Sequence, residues 1–171
     1  MRKFALLSAL LPLALLAACG GSETEVASAV AEISDAHISQ IHVDFEESAD
    51  PYADLQTAIE MAQDEEKYIL LDVGGEWCSW CHLIDAYIET NAPTREAFAC
   101  AFVILKVNYS DDNPNEEFLS QYPERQGYPH FFVLDSEGEF VASQGTGDLE
   151  EGRGYNEDAM VGFAEPYCQD A

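Results

Sequence analysis

The chain has 171 residues, 33 of them acidic and 7 basic, for a formal net charge of −26. A surface so acidic repels nucleic acid and anionic lipid head groups, which excludes both as partners held by charge. With 47% hydrophobic residues the chain can still bury one core of ordinary size.

The first residues read as an export signal. Arg2 and Lys3 precede an apolar stretch, residues 4–16, that is short for crossing a bilayer. Leu16-Ala17-Ala18-Cys19 resembles the lipobox of bacterial lipoproteins, which implies removal of residues 1–18 and acylation of Cys19. An ordinary signal peptide, with Cys19 merely near the cut, is the alternative. Loss of Arg2 and Lys3 leaves five basic residues and a net charge of −28, so acyl chains rather than basic residues would provide the membrane anchor. Residues 19–38 then form a polar, acidic tether, and residues 39–171 the domain. The expected location is the bacterial cell envelope, lipid-anchored and facing the periplasm. Gly20, where retained lipoproteins carry aspartate, slightly favours the outer membrane.

Within the domain, Ile41, Val43 and Phe45 alternate with polar residues, as in an edge strand with one buried face. Asp50-Pro51 opens a helix, aspartate as cap and proline at the first helical position, with Leu55, Ala58, Ile59 and Ala62 as its buried stripe. Residues 68–73 are a continuous apolar run of strand length, ended by Gly74-Gly75. A helix follows from about Trp80 to Thr90, and Asn91-Ala92-Pro93 starts a short second one. Residues 102–107 form the next buried strand. Asp111-Asp112-Asn113-Pro114 is expected to cap a further short helix. Residues 131–134 and 140–142 flank a turn at Ser136-Glu137-Gly138 and predict an antiparallel hairpin. A glycine-rich loop over residues 145–155 leads to a last helix capped by Asn156. The order is β-α-β-α-β-β-α, with α/β crossovers.

The chemistry lies in YILLDVGGEWCSWCHLID, residues 68–85. A strand, a tight turn and a helix place Cys78 and Cys81 on the helix's first turn. Unpaired N–H groups and the dipole there favour a thiolate at Cys78, and Cys81 lies within reach to close a disulfide. The stretch resembles thioredoxin, and not through the cysteines alone. Asp72 stands six residues before Cys78, where thioredoxins carry a buried acid, and Glu76-Trp77 precedes the cysteine as in their Glu-Trp-Cys. Ile104-Leu105-Lys106-Val107-Asn108 looks like their strand with a buried lysine, and Gly127-Tyr128-Pro129-His130 like the approach to their cis-proline strand.

The resemblance, over roughly residues 40–168, implies a thioredoxin-like α/β fold: a central mixed sheet with helices on both faces. It implies a thiol–disulfide oxidoreductase in which Cys78 attacks and Cys81 resolves. Asp72, paired with Lys106, would exchange the proton of Cys81, although a purely structural ion pair is the simpler account. Trp77 and Trp80 would form an apolar rim for a protein substrate, unless packed as core. Tyr128 and Pro129 would receive an extended substrate chain. By the same resemblance the far ends of the helix after the site and of the last helix lie together, so Cys100 and Cys168 could form a structural disulfide, or remain two thiols.

The departures leave the direction of electron flow open. Gly74-Gly75 replaces Trp-Ala, Ser79-Trp80 replaces Gly-Pro, and His82 replaces lysine. The Asp72–Lys106 pair favours a reductase, fed by a membrane redox partner and needing no cofactor beyond its own dithiol. Its partners would be exported thiol or disulfide proteins. Three alternatives stand beside it. Cys78-Ser79-Trp80-Cys81-His82 also spells a c-type haem attachment motif. Zinc is the weakest, for there is no second Cys-x-x-Cys. The third is a binding or chaperone module that kept the fold without redox turnover.

Overall fold

The computed structural model describes residues 36–168. The signal segment, Cys19 and nearly all of the tether lie outside the described residues.

The chain runs through β1 (Ser39–Ile41), α1 (Pro51–Glu65), β2 (Tyr68–Gly74), α2 (Ser79–Thr90), α3 (Ala92–Ala101), β3 (Phe102–Asn108), α4 (Glu116–Leu119), β4 (His130–Leu134) and β5 (Phe140–Gly145). A 3-10 turn at Thr146–Leu149 leads into a two-stranded ribbon, β6 (Glu150–Glu151) and β7 (Gly154–Tyr155), and then α5 (Glu157–Ala164). The five-stranded sheet has the order β1-β3-β2-β4-β5. Its first three strands are parallel, and β4 and β5 return antiparallel.

Central β2 and β3 are covered on both sides, so their sequences read as unbroken apolar runs rather than as alternations. Ile69, Leu71 and Val73 pack with Ala58 and Ala62 of α1 and with Phe118 and Phe132. Leu70 joins Ile84 and Ile88 of α2, Phe98 of α3 and Met160 of α5 on the opposite face. Asp72 shares that second face with Leu70 and pairs in register with Lys106 of β3. One buried ion pair is thereby set under the start of α2.

The caps are local. Asp50 accepts from the N–H groups of Tyr52 and Ala53, Asn91 from Thr94 and Asn156 from Ala159. Each satisfies a donor that the first helical turn leaves unpaired.

Three expectations are revised. The edge strand stops at Ile41 because His42 takes a left-handed conformation (φ 62°) and turns the chain off the sheet. Val43 is then 64% exposed, and Phe45 is buried from a loop rather than from a strand. The helix expected from residues 111–114 begins only at Glu116, after Asn115 at φ 47° with no side-chain cap. The amides of Asn113 and Asn115 instead donate to the carbonyls of Glu47 (2.6 Å) and Asn108 (2.8 Å). The loop after Gly145 contains the 3-10 turn and the small ribbon.

Candidate active site

β2 ends at Gly74 and the chain turns through residues 75–77 into α2, whose N-cap is Cys78. The Cys78 N–H donates to the Gly75 carbonyl (2.9 Å), and Cys78 Sγ accepts from the Cys81 N–H (3.1 Å). The two cysteines are bonded, their Cα atoms 5.2 Å apart, and both are buried. Each glycine of the turn leaves room for something specific. A Cβ on Gly74 would stand 2.5 Å from Cys81 Sγ and 2.9 Å from the Phe45 ring. A Cβ on Gly75 would stand 2.5 Å from Trp77 Nε1 and 2.8 Å from the Tyr109 carbonyl.

That space fixes Trp77. Its indole N–H donates to the Tyr109 carbonyl (2.7 Å) while the side chain stays exposed. The Trp77 ring meets Tyr128 edge-on at 5.5 Å, and Tyr128 stacks on Tyr109 at 4.9 Å. Arg125 lies over both tyrosine rings. The Tyr128–Pro129 peptide is cis, and the Pro129 carbonyl accepts from Thr146 Oγ1 (2.7 Å). Trp80 turns the other way, packing against the core and meeting Tyr155 edge-on at 5.8 Å.

Beneath the disulfide, Lys106 Nζ donates to Asp72 Oδ2 (3.2 Å) and to Asp85 Oδ1 (2.6 Å). Its ammonium also sits 4.3 Å from the centre of the Phe45 ring. Burial pulls the lysine's pKa down, but Asp72 and Asp85 together outweigh it and hold it above its ordinary value. The Asp85 pKa is raised as well: burial first, then the neighbouring Asp72 charge, push its carboxyl up to about 6. Asp72 Oδ1 has no hydrogen-bond partner among the described residues. Asp72, Lys106 and Asp85 line a cavity of about 30 Å³ that also touches Gln40 and Glu89, room for a water or two. The arrangement is a buried carboxylate paired to a lysine, with a second carboxylate leading outward.

A family model for thioredoxin-like proteins matches residues 50–136. The chain belongs to the thioredoxin-like family. Among solved structures it is similar to a disulphide isomerase from Xylella fastidiosa Temecula1, at 22% identity and TM-score 0.61, covering 74% of this chain and 97% of that one. It is similar also to the oxidised C-terminal domain of DsbD from Neisseria meningitidis, at 20% identity and TM-score 0.53, covering 70% and 97%. A DsbH oxidoreductase aligns at 22% identity and TM-score 0.51, covering 80% and 92%. No curated protein matches the chain.

On this thioredoxin-like frame Cys78, Cys81, Asp72 and Lys106 lie together, with Trp77, Tyr128 and Pro129 beside them; Trp80 touches the cysteine cluster from its packed side. Cys100 and Cys168 are bonded to each other, tying the end of α3 to the segment after α5. His82 projects outward, its Nε2 2.9 Å from the Glu76 carbonyl. With Cys78 and Cys81 bonded to each other, neither offers a free thiol for haem attachment in this state.

Sequence reasoning missed Asp85, Phe45 and Tyr109. Asp85 follows Cys81 by four residues, one helical turn, so an acid on the helix face carrying Cys81 was a usable signal. For Phe45 the signal was indirect: Gly74, where the family carries a bulky residue, leaves a space another ring must fill.

Proposed function

We propose that the protein is an exported thiol–disulfide oxidoreductase, acting as a reductase on disulfides of other exported proteins. The observation that carries this reading is the Cys78–Cys81 pair at the start of α2, joined through the Phe45 ring to the Asp72–Lys106–Asp85 cluster. In the reduced protein, the Cys78 thiolate attacks one sulfur of a substrate disulfide and expels the other as thiolate. Cys81, as a thiolate, then attacks Cys78 Sγ and releases the second substrate sulfur as a thiolate. The substrate gains two electrons, the protein dithiol loses two, and Asp72 accepts the Cys81 proton as the resolving thiolate forms. Trp77, Tyr128 and Pro129 form the ledge on which the substrate chain rests, and Trp80 supports it from behind. A membrane redox partner returns the pair to the dithiol. Cys19, acylated after signal removal, holds the domain at the envelope, facing the periplasm.

The reduction potential of the Cys78–Cys81 couple tests the direction of flow. A value near that of thioredoxin, about −270 mV, is expected; one near the DsbA end, about −120 mV, would make the protein a disulfide donor. Failure to form a reversible disulfide would leave only a binding module. The anchor has its own test, for mass spectrometry of the mature chain should find Cys19 N-terminal and acylated. An uncleaved or unmodified terminus would refute it.

A further inference from the structure

Phe45 lies on the segment between β1 and α1, far in sequence from the cysteines, yet only 3% of it is exposed. Its packing partners are Cys78 and Cys81. Its ring occupies the space beside Gly74, where any side chain would collide both with that ring and with Cys81 Sγ. The same ring covers the Lys106 ammonium at 4.3 Å. One aromatic side chain therefore touches the second cysteine and the lysine that holds both carboxylates.

The segment is tied down where it meets the site. The Phe45 N–H donates to Glu76 Oε1 (2.9 Å), and Glu76 belongs to the turn that leads into Cys78. The Glu47 carbonyl accepts from Asn113, and the His42 ring meets Asp54 Oδ2 at 2.9 Å. These bonds hold the ring over the disulfide from a backbone that no strand pairing holds.

We propose that Phe45 is a positioning residue for thiol exchange: it takes the space a side chain at position 74 would fill, keeps water from Cys81 and Lys106, and so directs the Cys81 proton to the carboxylate cluster instead of to solvent. The inference rests on the reading of Cys78 and Cys81 as an exchanging pair. An apolar cover disfavours an ionised thiol, so Cys81 should remain a poor nucleophile until Asp72 takes its proton. Removing the ring lets water solvate a Cys81 thiolate directly. Lys106 loses its cation–π partner at the same time.

The experiment follows alkylation of Cys81 by iodoacetamide against pH, in the full chain carrying Cys78→Ser, so that no exchange reaction is needed. Phe45→Ala should lower the pH midpoint of alkylation by about one unit and raise the rate at pH 7 about ten-fold. Phe45→Leu, which restores an apolar cover, should return both most of the way. Phe45→Val, a smaller truncation than Ala, should move them in the same direction by less. Leu119→Ala, a truncation in the core on the other face of the sheet, should leave the midpoint where it is. The inference is overturned if the folded Phe45 variants keep the parent midpoint, or if Leu119→Ala shifts it as far. Loss of reversible disulfide formation in the parent protein, with the alkylation shift intact, would overturn the oxidoreductase reading and the exchange role with it, leaving Phe45 only as the cover that sets the acidity of Cys81.

Discussion

Asp85 keeps its carboxyl proton up to about pH 6, held by burial first and then by the neighbouring Asp72, where an ordinary aspartate would lose it near 3.8. Between those two values the folded protein holds a proton that the unfolded chain releases. The contribution of this group to stability is therefore complete below the unfolded pKa and is lost as pH rises through about 6. Asp85→Asn removes that slope. Urea unfolding at pH 4.5 and 7.5 should show the variant gaining on the parent at the higher pH, and parallel pH profiles for the two proteins would refute the assignment. Gly74 makes a second prediction at this scale. Its missing side chain is a steric requirement, since a Cβ would stand 2.5 Å from Cys81 Sγ and 2.9 Å from the Phe45 ring. Gly74→Ala should cost about 1–3 kcal/mol in the oxidised protein, the usual penalty of overpacking. Thermal melts of oxidised and reduced protein check this, because reduction frees the sulfur to move and should shrink the loss.

Among the elements, α3 and α5 are joined by more than packing. Phe98 and Phe102, at the end of α3 and the start of β3, meet Phe163 of α5 at 6.0 and 5.8 Å, and Tyr167 packs on Phe102 at 5.4 Å. The Cys100–Cys168 bond closes this aromatic seam across 68 residues. A Cys100→Ser, Cys168→Ser double variant should lose up to about 4 kcal/mol by urea unfolding, since the cross-link restricts the unfolded chain. The potential of the Cys78–Cys81 couple should stay unchanged, and a shift in it would mean that the seam reaches the active site. Which elements could be read from sequence follows from where their determinants lie. α1 and α5 announce themselves within a few residues, through Asp50-Pro51 and Asn156 at their starts and apolar stripes behind. α2 shows through the Gly74-Gly75 break before it, although its cap at Cys78 lies two residues ahead of the expected start at Trp80. β2 and β3 show as apolar runs because both faces are covered. β1 misled because alternation at Ile41, Val43 and Phe45 is a local pattern, while its end is set by the left-handed turn at His42. The site was legible as far as the cysteine turn, Asp72 and Lys106. Asp85 and Phe45 were not, because each is defined by a contact across the fold: Asp85 with Lys106 on β3, and Phe45 with Gly74 and Cys81 from an unpaired segment.

At the scale of the whole molecule, the charge of −26 has to be carried by a chain with few cations to offset it. Two of those cations are committed to structure. Lys106 is buried between Asp72 and Asp85, and Arg95 donates to the carbonyls of Ala36 (2.8 Å) and Glu89 (3.2 Å). Lys67 pairs with Glu65 on the surface (2.6 Å), where such pairs contribute little. The acidic surface is thus mostly uncompensated and repels itself in the compact state more than in the expanded one. Salt should relieve this. At 0.15 M the screening length is already about 8 Å, and at 1 M about 3 Å, shorter than most spacings between surface carboxylates. The melting temperature at pH 7.5 should therefore rise steadily from 10 mM to 1 M sodium chloride. Sodium chloride is the right probe, because sulfate would add a general strengthening of burial. The Asp72–Lys106 pair is buried and shielded from mobile ions, so the potential of the disulfide should move far less than the melting temperature over the same range. A melting temperature that is flat or falls with salt would show that the acidic surface costs the fold nothing, and its use would then have to be sought in solubility alone.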